Sequence, residues 1–267
     1  MTHPLPAQTA ENERLTKALE QLNLEFLELF TRHKEMVEDE ATVLTSLYLE
    51  KLGQRQLELL QKQTEAARLK LKMNLVHAAI NRNEKPDLKE IERILDEKLQ
   101  AYYLQIVAQS TALDQAQMVL SNLIPPEVAQ KLKETFRVLC KRLHPDLHPN
   151  QTEEEKDLFI KVKAAYDLQR LEDLQQILLY LDDTTAEKLA LVSGEEKRER
   201  MAHLKSSIIA LRDKIGQLLQ SFPFTVKELI FDSEKIALKQ AELQSQIQIF
   251  EEEIANYTNI ITIMTDE

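Results

Sequence analysis

The chain has 267 residues and a net charge of −11, and only 5% of its residues are aromatic. This length allows one large domain or two to three small ones. The few aromatic residues and three glycines disfavour a strand-rich fold. The negative charge opposes general binding to nucleic acid or to an anionic membrane, because phosphates repel an acidic surface.

The composition is typical of long helices, because leucine, glutamate, glutamine, lysine and alanine dominate it. The single cysteine, Cys140, cannot form an internal disulfide, so we expect a reducing compartment and interpret this residue as part of the core. Residues 1–10 lack the basic and apolar stretches of a signal peptide. No apolar run is long enough to cross a bilayer. We therefore expect a cytoplasmic, all-α protein with no membrane partner.

Proline divides the sequence, since each proline removes a helix hydrogen bond and clashes with the preceding turn. The pairs Asp87–Glu90 and Thr152–Glu155 have the spacing of capping boxes and predict helix starts. We predict four consecutive segments. They are a disordered amino terminus at 1–8, a coiled-coil hairpin region at 9–123, a central helical module at 124–182 and an antiparallel helical hairpin at 183–267.

The segment 9–123 carries apolar residues at alternating intervals of three and four, which predicts seams for helix pairing. The first seam comprises Leu15, Leu19, Leu22, Phe26 and Leu29. The turn at 81–86 predicts an antiparallel hairpin. In the helix that follows, the residues expected to face inward are Leu88, Ile91, Leu95, Leu99, Tyr102 and Ile106. Seams sustained over this length favour a helix-pairing role over a cofactor site.

Similar seams at 201–222 and 236–264 flank Pro223 and predict that these two helices pair as a second hairpin. The last helix is longer than its predicted partner. We therefore expect its end, from about Phe250, to pack against the central module or the first hairpin. The seams could also pair with a second copy of the chain, so the sequence leaves homo-oligomerisation open.

The central segment begins with an amphipathic helix at 126–143, in which Leu132, Phe136, Leu139 and Leu143 share one face. Only one acid, Glu134, lies among the basic residues of this helix, which are Lys131, Lys133, Arg137, Lys141 and Arg142. Proline cannot continue a helix, so the helix is expected to close at His144, with Asp146 in an exposed turn.

A second helix is predicted to begin after Thr152 and to present Phe159, Val162 and Tyr166 on one face. If the two helices cross back over the loop, these residues bury Phe136 and Leu139. The sequence His144-Pro145-Asp146 is then expected to project at the tip of the module.

This segment resembles a J domain over about residues 126–170. Residues 133–146 resemble its second helix and His-Pro-Asp signature, and residues 156–166 resemble its third helix, with the Phe, aliphatic and Ala-Tyr positions in step. The Tyr-Tyr-x-x-Leu-Gly-Val pattern of the family's first helix is missing, and we expect residues around Met118 to Ile124 to take its place. The Ser-Asp-Pro break after the third helix is also missing, so that helix is expected to continue to about Asp182.

The resemblance implies a co-chaperone that binds a seventy-kilodalton heat-shock chaperone of the DnaK type and stimulates its ATP hydrolysis, without enzymatic activity or a cofactor of its own. It implies that Asp146 pairs with a basic residue of the chaperone, while His144 and Pro145 shape the loop and contact the chaperone's linker. The residues implied to face an acidic patch on the chaperone are Lys133, Arg137, Lys141 and Arg142. The client protein is unknown.

Three other interpretations compete with the co-chaperone. The first is a helical adaptor or scaffold with a degenerate J-like unit. The second is a metal site at His144, Asp146 and His148, which lacks the closed ligand set of known sites. The third is nucleic-acid binding through the basic helix, which the acidic remainder of the chain disfavours. No glycine-rich phosphate loop is present in the sequence.

Overall fold

A computed structural model of the chain describes residues 10–182 and 194–265. Throughout these ranges the regular elements are helical and none is a strand, which confirms the all-α prediction. The predicted disordered amino terminus at 1–8 lies outside the described residues.

The first half of the chain is built from long helices interrupted by two π-helical turns. In order, the elements are α1 (Ala10–Glu35), a π-helical turn (Met36–Glu40), α2 (Ala41–Tyr48), a second π-helical turn (Leu49–Gly53), α3 (Gln54–Asn81) and α4 (Leu88–Ser121). The second half continues with α5 (Pro126–Leu143), α6 (Glu153–Asp167), α7 (Leu171–Asp182), α8 (Gly194–Leu219), a 3₁₀ turn (Phe224–Val226), α9 (Lys227–Phe231) and α10 (Ser233–Thr265).

The helices form two compact units, each assembled from two separate stretches of the chain. The first comprises Met1–Ala41 and Leu123–Ser221, and the second comprises Thr42–Asn122 and Phe222–Glu267. In the first unit α1 packs along α8, while α5, α6 and α7 pack against one another. In the second unit α3 packs against both α4 and α10.

The predicted helix pairing is correct for the first hairpin and wrong for the second. The predicted hairpin around residues 81–86 is present, as α3 and α4. The two helices around Pro223 were predicted to pair together, but α8 pairs with α1 and α10 pairs with α3. An apolar seam specifies that a helix needs a partner and leaves open which of several similar seams supplies it. The far end of α10 packs on the first hairpin, where Met264 contacts the cluster of Val76, Ile91 and Leu95.

Local chemistry explains where the central helices begin and end. The Asp87 carboxylate accepts from the backbone amides of Lys89 and Glu90 and caps α4. Thr152 and Glu155 form the predicted capping box at the start of α6.

On α4 the predicted inward face is only partly correct. Ile91, Leu95 and Leu99 are buried, whereas Leu88 and Tyr102 are about half exposed.

Two glycines inside helices differ in how much space a side chain would have at their positions. A Cβ atom at Gly53, in the second π-helical turn, would lie 2.5 Å from the Cδ2 atom of Leu113 on α4. A Cβ atom at Gly216 on α8 would meet nothing within 4 Å. The first glycine therefore permits close helix packing, and the second has no such role.

We expect the Gly216→Ala variant to raise the free energy of unfolding by about 0.5–1 kcal/mol, because alanine loses less conformational entropy than glycine in a helix. The matched Gly53→Ala change should gain nothing, or should destabilise its unit, because Leu113 would have to move. Urea unfolding followed by circular dichroism measures both changes. Equal stabilisation by the two substitutions would contradict this packing.

Candidate functional site

The loop after α5 is folded by its own backbone. The amide of His144 still donates to the carbonyl of Cys140 at 2.9 Å, but the extended backbone at His144 and the proline that follows end the helix. The carbonyl of His144 then accepts from the amides of Leu147 (3.0 Å) and His148 (2.9 Å). The loop is therefore a compact turn in which one carbonyl group, that of His144, accepts both hydrogen bonds.

The His144 imidazole lies beneath this turn, with only 8% of the residue exposed. Its ring lies 4.9 Å from Phe26 and 4.3 Å from Phe30, both on α1, and 5.2 Å from Phe159 on α6, measured between centroids and all edge-on. The expectation of a projecting tip therefore fails for this residue. The physical reason is that α1 supplies two phenylalanines that cover the ring.

The buried ring also organises the residues that follow it. Its Nδ1 atom accepts a hydrogen bond from the amide of Asp146 at 3.1 Å, which requires that nitrogen to be unprotonated. Burial lowers the pKa of His144 to about 4, although the nearby Asp146 carboxylate acts in the opposite direction. At neutral pH the ring is therefore uncharged and fixes the position of the Asp146 backbone.

The outer side of the loop is open to solvent. Pro145 is exposed and Asp146 is half-buried. In the described part of the chain, no basic side chain forms a salt bridge with the Asp146 carboxylate. The predicted tip is thus divided, with the histidine inside and the proline and aspartate at the surface.

The basic residues of α5 occupy different environments. The Nζ atom of Lys133 lies 3.8 Å from a carboxylate oxygen of Glu35, at the end of α1. It lies 3.9 Å from a carboxylate oxygen of Asp39, in the π-helical turn that follows α1. Arg137 and Lys141 are exposed, one helical turn apart, and pair with no acid among the described residues. Arg142 is half-buried. Lys131, nearer the start of the helix, is exposed as well, whereas Arg137 and Lys141 lie in the last two turns, next to the loop.

The five predicted core residues of the module lie in one buried cluster, and none is more than 8% exposed. They are Phe136, Leu139, Phe159, Val162 and Tyr166. The rings of Phe136 and Tyr166 lie 4.2 Å apart. Cys140 is also buried in this cluster, and burial raises the pKa of its thiol, so the thiol stays protonated.

Lys34 joins α1 to this cluster. The residue is 6% exposed, and its Nζ atom donates to Glu38 at 2.7 Å and to Asp167 at 2.8 Å. The same ammonium lies 5.4 Å from the ring centroid of Phe136 and 5.3 Å from that of Tyr166. A buried cation requires such partners, so these contacts fix the helix carrying Phe26 and Phe30 against α5 and α6.

The helix that precedes the segment 126–170 and packs on α5 is not the one that we expected from the sequence. Residue 118 belongs to α4 in the second unit, and of the segment 118–124 only Ile124 packs against the cluster of the first unit. The helix that packs on α5 is α1, more than 90 residues earlier in the chain. The sequence marked Phe26 as a seam residue but gave no sign of its contact with His144. The sequence does place Phe26 and Phe30 four residues apart on one helix face, but that spacing does not identify the residue that they cover.

The prediction that the helix of Tyr166 continues to Asp182 is wrong. The α6 helix ends at Asp167, and α7 begins at Leu171. Between them Gln169 adopts a φ of 54°, and the amide of Arg170 donates to the carbonyl of Ala165 at 2.8 Å. This turn lets α7 bury Leu174 completely in the cluster. The burial of α7 outweighs the conformational cost of the positive φ at Gln169. The sequence around Tyr166 does not reveal this burial, because it depends on tertiary packing.

Comparison of the chain with protein-family models, with curated proteins and with solved structures found no match to any of them. None of the helices in residues 10–182 and 194–265 is both long and apolar enough to cross a membrane. Within the same ranges, no three histidine, cysteine, aspartate or glutamate side chains are grouped so that they could hold a metal ion.

We expect Lys34→Met to lower the free energy of unfolding by about 2–3 kcal/mol, because Glu38 and Asp167 lose their buried cation. Lys156→Met removes a lysine from an exposed pair with Glu153 and should change stability by about 0.5 kcal/mol or less. Urea denaturation compares the two variants. Equal losses would show that the Lys34 contacts contribute no more than a surface pair.

The buried imidazole predicts that stability depends on pH. Well above pH 6.5 the His144 imidazole is neutral in both the folded and the unfolded chain, and its contribution to the free energy of unfolding is fully present. As the pH falls towards 4, the unfolded chain binds a proton that the folded chain excludes, so the free energy of unfolding should fall by roughly 2–3 kcal/mol.

The His144→Gln variant, which keeps a hydrogen-bond acceptor but does not titrate, should flatten this dependence in urea titrations between pH 7 and 4.5. His203, which is exposed, is the control, and His203→Gln should keep the wild-type slope. An unchanged slope in His144→Gln would show that the buried ring is not the titrating group.

Proposed function

We propose that this protein is a co-chaperone of the J-domain type. It binds a seventy-kilodalton DnaK-type chaperone in the cytoplasm and stimulates its ATP hydrolysis through the loop His144-Pro145-Asp146. The observation that carries the proposal is the position of Pro145 and Asp146. They are accessible on a compact loop at the end of a helix whose outer face carries Arg137 and Lys141.

The electrostatics of this surface suit a transient partner. Arg137 and Lys141 supply positive charge without an internal acid among the described residues, so they are available to an acidic patch. Asp146 supplies one negative charge beside them, for a basic residue of the same partner. Opposite charges arranged in this way orient an encounter and make it sensitive to salt.

The buried histidine has a separate role in this proposal. Because the imidazole of His144 accepts from the amide of Asp146, the loop is held in one conformation before a partner arrives. A preordered loop loses less conformational entropy on binding than a flexible one. In the proposed complex the chaperone carries out the hydrolysis, and this chain contributes binding and orientation only. The remaining long helices hold the client or another partner.

A second candidate is a helical adaptor whose J-like unit has lost its activity. The burial of His144 beneath Phe26 and Phe30 favours it, because a residue covered in this way offers only its backbone to a partner. The two candidates differ in one measurable property, the stimulation of chaperone ATPase activity.

In single-turnover reactions with the DnaK-type chaperone of the same organism, the wild-type protein should increase the rate of ATP hydrolysis. Asp146→Asn should abolish the increase, because it removes the charge without changing the size of the side chain. Glu127→Gln is the matched control, an exposed acid in the first turn of α5, and should stimulate like the wild type. No stimulation by the wild type, or equal stimulation by Asp146→Asn, would favour the adaptor.

A further inference from the structure

A groove of about 810 Å³ runs between α6 and α7 in the first unit. Its floor is apolar and formed by Leu158, Ala165 and Ile177, with Leu168 at one end and Tyr180 at the other. Among the described residues that line it, none comes from α5. The groove is therefore separate from the face of α5 that carries Arg137 and Lys141.

The groove leaves large apolar side chains in water although the core lies directly beneath. Leu168 is 61% exposed and Tyr180 is 52% exposed, whereas Ala165 in the floor is 6% exposed. Apolar side chains that remain accessible in a concave, mainly apolar site are typical of binding surfaces.

The shape of the groove favours a chain segment over a compact small molecule. The lining residues on α6 and the turn after it extend from Glu154 to Leu168, which is about 21 Å at the helical rise of ~1.5 Å per residue. An extended peptide covers that length with about six residues. The groove is thus long enough for three side chains of a strand-like segment to point into it.

The charges at the two ends of the groove differ. At the Tyr180 end, Glu154 accepts a hydrogen bond from the tyrosine hydroxyl, and neither Glu154 nor Asp157 forms a salt bridge with the described residues. At the Leu168 end, Arg170 already pairs with Asp173 at 3.7 Å. Lys161 lies between the two ends, within reach of a peptide carbonyl. Lys161 also forms no salt bridge with the described residues, so the unpaired charges of the groove sum to −1, and both negative ones lie at the Tyr180 end.

We propose that this groove binds a peptide segment of another protein, with alternating aliphatic side chains in the groove and an arginine or lysine at the Glu154–Asp157 end. Aliphatic contacts would supply the affinity, the Lys161 ammonium would donate to a peptide carbonyl, and the two carboxylates would set the direction in which the peptide lies. This inference does not depend on the proposed co-chaperone function, because the groove and the surface around Asp146 share no residue.

The test uses the full-length chain and a fluorescein-labelled peptide of two arginines followed by three leucine–serine pairs, with binding measured by fluorescence anisotropy. We expect saturable binding, and weaker binding of the same peptide with two glutamates in place of the arginines. Leu168→Gln should weaken binding about tenfold, because it removes one buried aliphatic contact. Asp157→Asn should weaken binding of the arginine peptide severalfold and leave the glutamate peptide unaffected or bound more tightly.

Ile160→Gln provides the matched control. Ile160 is on α6, 63% exposed, and outside the groove, so this variant should bind the peptide like the wild type. Ala164→Glu, at an exposed position in the groove wall, is a second blocking variant, and circular dichroism checks that each variant keeps its helical content.

Absence of binding of the arginine peptide to the wild-type chain would overturn the proposal, as would equal weakening by Leu168→Gln and Ile160→Gln. It would also be overturned if sedimentation showed a dimer that Leu168→Gln converts to monomer, because the occupant of the groove would then be a second copy. The assay contains no chaperone, so its failure is distinguishable from failure of the ATPase experiment.

Discussion

The contact between the His144 imidazole and the phenylalanines of α1 and α6 is the interaction on which the candidate site depends. It places one residue of the loop in the core and leaves the next two at the surface. A polar ring in such a position requires a hydrogen bond, and the amide of Asp146 provides it. Packing of the ring and its hydrogen bond therefore both support the observed loop conformation.

Further contacts, from Lys34 and Tyr166, attach α1 and the turn after it to α5 and α6. A helix that covers a loop must be fixed in register, and the buried Lys34 fixes it through Glu38 and Asp167 as well as through the rings beneath. Tyr166 adds a hydrogen bond from its hydroxyl to Asp39 at 3.0 Å. Glu38 and Asp39 both lie in the π-helical turn Met36–Glu40, and π-helical turns are often found where a helix must present side chains to a functional region.

The first unit offers two surfaces of different chemistry. The outer face of α5 is cationic and ends in a rigid loop, which suits an electrostatically guided and reversible encounter. The groove between α6 and α7 is apolar with an acidic end, which suits a short segment of a partner chain. Because different helices line the two surfaces, occupation of one leaves the residues of the other accessible.

The sequence by itself determined the helical class, the start and end of α5, the capping box of α6 and the buried face that Phe136 shares with Tyr166. These features depend on proline, capping chemistry and the 3.6-residue period, all of which act within a few residues. Only the tertiary structure decided that α8 pairs with α1, that α1 covers His144 and that α6 ends at Asp167. Helix partners depend on which of several similar apolar seams bury the most surface together, and that choice joins residues more than 100 positions apart.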